Sequence, residues 1–267
     1  MITRSISEGF KFAFSGKRIL PYFVTYSVAS FIIVDFFRKI LDLVTTRGNF
    51  SDLFISLGIS IPVFIIIGLI QLWIKGAIID QARFHPKKRS LTKSFKYSAS
   101  RYPTMFCALI LYGIIVFIVS LPRYIGSLFV FLVNLILFLL YPVIIVDKKK
   151  CLDSFKRSFR VFLRYPLEVF VTWLIVVAIY FVITIIFALP MFFYFLGSIT
   201  PVETKMYENV TNEEVLIKTI IPGISTSLSS PYFIPYFLVF SLAMAFNSVF
   251  YQGVQTRLYI NSRKVEI

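Results

Sequence analysis

The chain is poor in the residues that build metal sites, disulfide frameworks and catalytic centres. Its 267 residues include two cysteines, Cys107 and Cys151, and a single histidine, His85. This inventory excludes a disulfide framework and a zinc site built on cysteine and histidine. The sequence also lacks a Walker loop, an HExxH motif, a GxSxG motif and a glycine-rich nucleotide loop. We therefore expect no enzyme, no metal and no cofactor.

Charged residues are scarce as well. They form 15% of the chain, whereas soluble domains contain about 25%. Hydrophobic residues form 58% and aromatic residues 18%, with 31 Phe and 15 Tyr. A surface built from this composition must largely face hydrocarbon rather than water. The composition predicts a multi-pass membrane protein.

Six apolar runs are long enough for the ~20 residues that a membrane-crossing helix requires. They cover residues 19–37, 53–79, 104–121, 124–146, 167–196 and 231–256. The second and fifth runs exceed this length, so we expect them to tilt, project or kink, with Pro62 and Pro190 as the kink sites. The predicted fold is all-α: a polytopic membrane bundle of six transmembrane helices, forming a single membrane domain over residues 1–267.

Positive charge is distributed unevenly between the two sides of these spans. The net charge is +15. The segments before span one, between spans two and three, between four and five, and after six hold about 21 Lys and Arg residues, against about 6 in the alternate loops. By the positive-inside rule both termini are cytoplasmic, and we place the protein in the cell membrane. Because insertion alone accounts for the excess, nucleic acid is not an expected partner.

The longest outer segment, residues 197–230, is mildly acidic. Residues 211–214 fit a capping box, which predicts a short helix that stops at Pro222-Gly223. Two Asn-x-Ser/Thr sequons, at Asn49 and Asn209, fall on the same side and agree with the topology.

The basic cytoplasmic segments resemble one another. A Phe-Lys pair, a Phe four residues after the first and a Pro eleven residues after it occur with identical spacing at Phe10-Lys11 and at Phe155-Lys156. A third copy starts at Phe95-Lys96, with its proline, Pro103, about one helical turn closer. Each copy precedes two spans. The chain is therefore expected to contain three units of an interfacial amphipathic helix and a helical hairpin, near residues 1–80, 81–146 and 147–267.

The third basic segment has the clearest amphipathic pattern. Its apolar residues recur at three- and four-residue steps, at Leu152, Phe155, Phe159 and Phe162. Such a helix lies in the membrane interface with its cations at lipid phosphates, where each contributes ~1 kcal/mol. The candidate head-group residues are Lys149, Lys156, Arg157, Arg160 and Arg164, with Lys11 and Lys96 at equivalent positions. The alternative is that these helices only cap the bundle and orient it.

One pattern in this region resembles a known family. Ile145-Val146-Asp147 is followed by Leu152 and by the run Ser-Phe-Lys-Arg-Ser-Phe-Arg at residues 154–160, which leads into a span. This resembles the multi-pass membrane domain associated with glycerophosphodiester phosphodiesterases and with related prokaryotic membrane proteins, most clearly over residues 140–180. The resemblance implies a helical membrane domain without catalytic residues of its own. No segment of this sequence is long or polar enough to hold the phosphodiesterase domain.

Polar residues within the spans are further candidates, because a charge at the centre of a membrane helix costs about 2.5–3.5 kcal/mol on insertion scales. Asp35, Asp80 and Asp147 lie at span ends and are expected to pair with nearby cations. We predict a cytoplasm-facing polar pocket, with an ion pair between Lys75 and Glu168, from Gln71, Lys75, Asn134, Glu168, Asn247, Tyr251 and Gln255. The alternative is interhelical hydrogen bonding, with Lys75 extending to the interface.

These observations favour a non-catalytic integral membrane protein. We expect it to bind anionic lipid, or to support a membrane-protein partner, through its basic interfacial helices. The alternative is a small-molecule or lipid transporter that uses the polar pocket, which requires the polar stripes of spans two and six to face each other. An enzyme acting on lipids would need a nucleophile and a base that the sequence does not offer.

Overall fold

The computed structural model describes residues 1–46, 50–85, 89–122, 125–199 and 221–264. Every regular element in these ranges is an α-helix, and the ranges contain no strand. The helices are α1 (Ile2–Ala13), α2 (Gly16–Thr46), α3 (Phe50–Phe84), α4 (Leu91–Ser120), α5 (Gly126–Ile136), α6 (Leu140–Val146), α7 (Cys151–Arg164), α8 (Pro166–Ile199), α9 (Ile221–Ser229) and α10 (Phe233–Lys264).

Six spans are long and apolar enough to cross a membrane, as the sequence predicts. They are Gly16–Leu41, Leu57–Phe84, Leu91–Ser120, Gly126–Val146, Pro166–Gly197 and Phe233–Arg263. The third begins earlier than predicted because α4 continues through Pro103, so this basic segment and its span form one helix. α1 and α7, in contrast, are separate helices that end before their spans begin. The six spans define a multi-pass membrane protein.

Two boundaries differ from the sequence prediction. α9 contains Pro222 and Gly223, where a helix was expected to stop. Pro222 lies in the first turn, where a missing N–H costs no helical hydrogen bond. α10 continues to Lys264, beyond the predicted end of span six. The predicted helix start at 211, the sequon at Asn209 and residue Asn49 lie outside the described residues.

Span four is interrupted at residues 137–139, between α5 and α6, although the sequence predicts one helix. Leu140 N–H donates to Leu137 O at 3.0 Å, which leaves Ile136 O without its usual helical partner. Pro142 has no N–H for Phe138 O. Ser158 Oγ donates to Ile136 O at 3.0 Å and Gln255 Nε2 to Phe138 O at 2.6 Å. Side chains from α7 and α10 thus donate hydrogen bonds to two backbone carbonyls of span four, which lipid hydrocarbon could not do.

The chain divides into two compact units. The first comprises Met1–Tyr22, Leu69–Phe181 and Phe246–Ile267, and the second comprises Phe23–Gly68 and Val182–Ala245. The first unit contains α1 and α4–α7 and has an aliphatic core formed by residues such as Ile79, Ile144 and Leu258. The second unit packs aromatic rings against each other, including Phe233 with Phe237. All candidate residues named above for the head group and the polar pocket lie in the first unit.

The even-numbered spans are more buried than the odd-numbered ones. The buried share of the most apolar stretch is 22%, 50% and 44% in spans two, four and six, against 11%, 11% and 17% in spans one, three and five. The odd spans expose large apolar side chains such as Phe117 and Phe181. Such side chains are expected to face lipid rather than water.

Each basic segment buries a pair of small residues four positions apart. We use "basic segments" for α1, residues 91–103 of α4, and α7. The buried pairs are Gly9 and Ala13, Ser94 and Ser98, and Ser154 and Ser158. Residues four apart share one face of a helix. Each segment therefore places a pair of small residues on its inward face, beside Phe12 in α1 and Val161 in α7.

The three inward faces pack on three different spans. A Cβ at Gly9 would lie 2.9 Å from Val254 N of α10, so only glycine allows this approach. Ser98 Oγ donates to Trp73 O of α3 at 2.7 Å. Ser158 donates to Ile136 O of α5, as described above. α1 thus packs on span six, the α4 segment on span two and α7 on span four.

Candidate functional site

A cavity of about 540 Å³ lies beside α7 in the first unit. Its lining consists of Arg83, Val146, Asp147, Lys148, Lys149, Asp153, Lys156, Arg157, Arg160 and Arg263. Seven of these side chains are cationic and two are carboxylates. Cations gathered around a concave surface focus the field and attract anions.

The connection between α6 and α7 contributes two of the cations. Lys148 has a φ of 57°, and it is the only non-glycine residue with positive φ in the described part of the chain. The left-handed region costs an L-residue roughly 1–2 kcal/mol, so glycine is the usual residue after a helix end. Arg101 Nη1 donates to the Lys148 carbonyl at 3.3 Å. This turn places Lys148 and Lys149 on the cavity wall.

Asp147 fixes two arginines at the same wall. Its carboxylate accepts a hydrogen bond from Arg263 Nη1 at 3.0 Å and one from the Tyr259 hydroxyl. Arg157 Nε lies 3.9 Å from Asp147 Oδ2. The Asp147 side chain is only 10% exposed. The predicted pairing of Asp147 with nearby cations is confirmed, and it holds Arg157 and Arg263 in place.

α7 has three faces rather than two. Ser154, Ser158 and Val161 are buried against the bundle. A second, apolar face consists of Leu152, Phe159 and Leu163. Leu152 and Leu163 are 65% and 60% exposed. The cations form the third face. Phe155 and Phe162, expected among acyl chains, are half-buried and pack against the core.

The structure separates the seven residues predicted to bind a head group. Four of them, Lys149, Lys156, Arg157 and Arg160, line the cavity. The Arg164 guanidinium lies 5.6 Å from the Tyr165 ring centroid. Lys11 and Lys96 are exposed on α1 and α4, and neither belongs to this lining.

Three cavity cations were not among the predicted head-group residues: Arg83, Lys148 and Arg263. Arg83 lies in the last turn of α3 and Arg263 in the last turn of α10. Both belong to segments that the charge distribution predicts to be cytoplasmic. Their approach to α7 has no signature in the sequence, because it depends on packing between helices far apart in the chain.

The cations near α1 have carboxylate partners of their own. Glu8 lies 2.9 Å from Arg4 Nε and 3.4 Å from Arg257 Nε. Burial raises the pKa of Glu8, but the hydrogen bond from Arg4 and the charges of Arg257 and Arg4 outweigh it and lower the pKa below its ordinary value. Burial, assisted by the charges of Arg257 and Arg18, lowers the pKa of His85, so this imidazole is neutral at pH 7.

The other two aspartates at span ends also pair with cations, as predicted. Asp80 is fully buried, and its Oδ2 lies 2.8 Å from Arg89 Nε. In the second unit Asp35 lies 3.1 Å from Arg38 Nη2 and 2.7 Å from Lys39 Nζ. These carboxylates therefore compensate nearby positive charge.

Two members of the predicted polar pocket contact tyrosines. Lys75 Nζ lies 3.7 Å from the ring centroid of Tyr141, a cation–π contact. The Tyr112 hydroxyl donates to Asn134 Oδ1. Among the described residues, Lys75 and Glu168 form no ion pair. The predicted pair is replaced by the contact with Tyr141.

The polar stripe of span six bonds to neighbouring helices. Asn247 is fully buried and its Nδ2 donates to Tyr180 O at 3.4 Å. Gln255 donates to Phe138 O, and the Tyr251 ring packs edge-on against the Phe138 ring at 5.6 Å. These contacts match the alternative interpretation, interhelical bonding.

Gln71 and Glu168 are half-buried on α3 and at the start of α8. In the part of the chain that the structure describes, neither makes a hydrogen bond or ion pair with another member of the predicted pocket. Polar contacts therefore connect separate parts of the set, through Tyr141, Tyr112, Phe138 O between α5 and α6, and Tyr180 O of α8.

The two cysteines are free thiols, Cys107 on α4 and Cys151 at the start of α7. Burial raises the pKa of the Cys151 thiol to about 12, and a hydrogen bond with Cys107 acts in the same direction. Within the described ranges, no group of three His, Cys, Asp or Glu residues is arranged to hold a metal ion.

No protein-family model, curated protein or solved structure matches this chain. The candidate site is therefore defined by its geometry alone. It is an electropositive cavity in a multi-pass membrane protein. The likeness of residues 140–180 to the phosphodiesterase-associated membrane domain stays a prediction.

Proposed function

We propose that this protein is a non-catalytic integral membrane protein whose basic cavity binds the head group of an anionic lipid. The supporting observation is the convergence of seven cations on one cavity of about 540 Å³. They belong to the end of α3, the α6–α7 connection, α7 and the end of α10. Charge-assisted hydrogen bonds from Arg and Lys to phosphate are roughly twice as strong as neutral ones.

The faces of α7 support a lipid rather than a soluble anion. An exposed apolar face, formed by Leu152, Phe159 and Leu163, adjoins the cationic face of the same helix. A helix of this kind lies in the membrane interface, with its apolar side at the acyl chains and its cations at the phosphates. One lipid could therefore contact both faces of α7.

The proposal includes an orientation and an architecture. The basic side faces the cytoplasm, both termini lie there, and three units of basic segment and hairpin form the chain. The charge asymmetry supports the orientation. The buried small pairs, and the packing of each basic segment on a different even-numbered span, support the three units.

The phosphodiesterase-associated resemblance is compatible with this function, since it implies a membrane domain without catalytic residues. The transporter alternative has less support. Asn247 and Gln255 donate to backbone carbonyls, Asn134 accepts from Tyr112, and Lys75 lies over an aromatic ring. Interhelical bonding accounts for these contacts.

A matched pair of variants tests the proposal. Lys149→Gln/Lys156→Gln removes two cations from the cavity, whereas Lys11→Gln/Lys96→Gln removes two exposed cations from the other basic segments. Binding of phosphatidylglycerol, measured against phosphatidylcholine by native mass spectrometry of the full chain in detergent, should weaken about tenfold in the first variant. The second variant should stay within twofold of the wild type.

Equal losses in both variants would contradict the cavity as the binding site, because the two carry the same net charge. Thermal unfolding of both variants in the same detergent confirms that each is folded. All four positions are exposed, so neither variant should change the unfolding temperature.

A further inference from the structure

We propose that the cavity selects lipids whose head group carries at least two negative charges on phosphate, such as a phosphomonoester or a diphosphate, over lipids with a single phosphodiester charge. This inference rests on the proposed function and adds the charge class of the ligand. It follows from the charge balance, the distribution and the size of the cavity.

The charge balance leaves a large positive excess. Seven cations face two carboxylates, so five positive charges lack a negative counterpart within the lining. Asp147 is engaged with Arg157 and Arg263. Lys148, Lys149, Lys156 and Arg160 have no carboxylate within 4.0 Å among the described residues. A phosphodiester supplies one negative charge, while a phosphomonoester supplies about 1.5–2 at pH 7.

The cations also approach the cavity from different directions. Arg83 comes from the end of α3, Lys148 from the connection, Arg160 from α7 and Arg263 from α10. A volume of about 540 Å³ falls among pockets that hold whole small molecules, which span ~300–1,000 Å³. A head group with several phosphate oxygens can contact more of these cations at once than one phosphodiester can.

Lys148 gives an independent reason to regard the site as built for an anion. Its backbone adopts the left-handed conformation that glycine or asparagine would accept at lower cost. Arg101 holds its carbonyl from the outside of the lining. The residue at this turn nevertheless carries a cation into the cavity.

The test compares two lipids with the same acyl chains. The full chain in phosphatidylcholine nanodiscs is titrated with short-chain phosphatidic acid, a phosphomonoester, and with short-chain phosphatidylglycerol, a phosphodiester. We expect phosphatidic acid to bind at least about tenfold tighter at pH 8. Because the second phosphate charge titrates near pH 6, this preference should shrink when the pH is lowered to 5.

The variants show whether the preference belongs to the cavity. Lys149→Gln/Lys156→Gln should reduce the preference to about twofold, and Lys11→Gln/Lys96→Gln should keep it. Retention of the full preference in the cavity variant would contradict the assignment. Unchanged unfolding temperatures keep this comparison valid.

The outcomes separate the two proposals. Equal binding of phosphatidic acid and phosphatidylglycerol overturns the charge-class inference and leaves the proposed function standing. Binding of neither lipid above phosphatidylcholine overturns both. Inorganic diphosphate is also titrated into the detergent-solubilised chain. If it binds as tightly as phosphatidic acid, the ligand is a soluble anion and the claim that it is a lipid is overturned.

Discussion

α7 and the first part of α4 have similar sequences and the same inward face, but different outward surfaces. At positions sixty residues apart, Ser94 and Ser98 correspond to Ser154 and Ser158, and all four are fully buried. Outside this face, Tyr97 stands where α7 has Arg157. The Tyr97 hydroxyl donates to Ile145 O, whereas Arg157 lies beside Asp147.

The two outward surfaces differ although both segments pack through small residues at corresponding positions. A helix that docks on a span needs small residues at the contact, and both segments retain them. Outside the contact the two segments share Lys96 and Lys156, but Tyr97 corresponds to Arg157. Arg89, which precedes α4, is engaged with buried Asp80, whereas Lys149, at the corresponding position before α7, lies at the cavity with Lys156 and Arg160.

The largest predicted effect concerns Cys151, the first residue of α7. The corresponding helix start in α4 is Leu91, which has no reactive group. Burial and Cys107 raise the pKa of Cys151 from 9.0 to about 12, which leaves far less thiolate at a given pH below 9. In the wild-type chain, with the Cys151 peptide resolved by mass spectrometry, iodoacetamide should react with Cys151 far more slowly than with a model thiol. The rate should still rise tenfold per pH unit between pH 9 and 10, where a model thiol levels off. A profile that levels off near pH 9 would show an ordinary thiol.

The shared inward face predicts equal damage in both segments. Ser98→Leu and Ser158→Leu each force a bulky side chain against a neighbouring span and remove a hydrogen bond to a backbone carbonyl. We expect each to lower the free energy of unfolding by about 3 kcal/mol. Thermal unfolding in detergent measures the loss. Exposed Ser100→Leu on α4 is the control, and damage confined to one segment would break the equivalence.

The interrupted span beneath α7 predicts a difference from the continuous helix beneath α4. Gln255→Leu leaves Phe138 O without a donor, since Pro142 has no N–H, and should cost about 2 kcal/mol. Tyr102→Phe removes a donor to Leu69 O of α3 and should cost about 0.5–1 kcal/mol, because α3 is helical there and supplies its own bond. Equal unfolding temperatures for the two variants would refute this account of span four.

The smallest predicted effect sharpens the role of the α6–α7 turn. Lys148→Gly relieves the left-handed backbone and should stabilise the chain by about 1 kcal/mol. The same variant removes a cavity cation and should weaken phosphatidic acid binding about fivefold. A variant that gains stability without losing affinity would show that Lys148 contributes no charge to the ligand. Lys150→Gly, at an extended position outside the lining, is the control.

Much of the helical architecture could be predicted from the sequence, because hydropathy and periodicity are local properties. The six spans follow from this, as do the pairs that Asp35 and Asp80 form with cations nearby in the sequence. Helix boundaries at prolines were less predictable. Tyr165 leaves helical geometry before Pro166, with a φ of −132°, whereas α4 passes through Pro103 without interruption. The same local signal had two outcomes because tertiary contacts select between them.

The candidate site could be predicted only in part. The periodicity of α7 placed Lys156, Arg157 and Arg160 on one face, and this was sufficient to nominate them. The same reasoning nominated Lys11 and Lys96, which lie outside the cavity. It also assembled a polar pocket whose Lys75–Glu168 ion pair is absent from the described residues, because spacing within two helices does not fix how those helices face each other.

Residues close together in the chain are enough to predict a membrane environment, the six spans and the basic faces of individual helices. Which basic face lines the cavity depends instead on how the helices pack. Arg83 and Arg263 reach α7 through the packing of α3 and α10, and Asp147 holds Arg157 and Arg263 at the cavity. Convergence of this kind depends on contacts between residues far apart in the chain, where local periodicity carries no information.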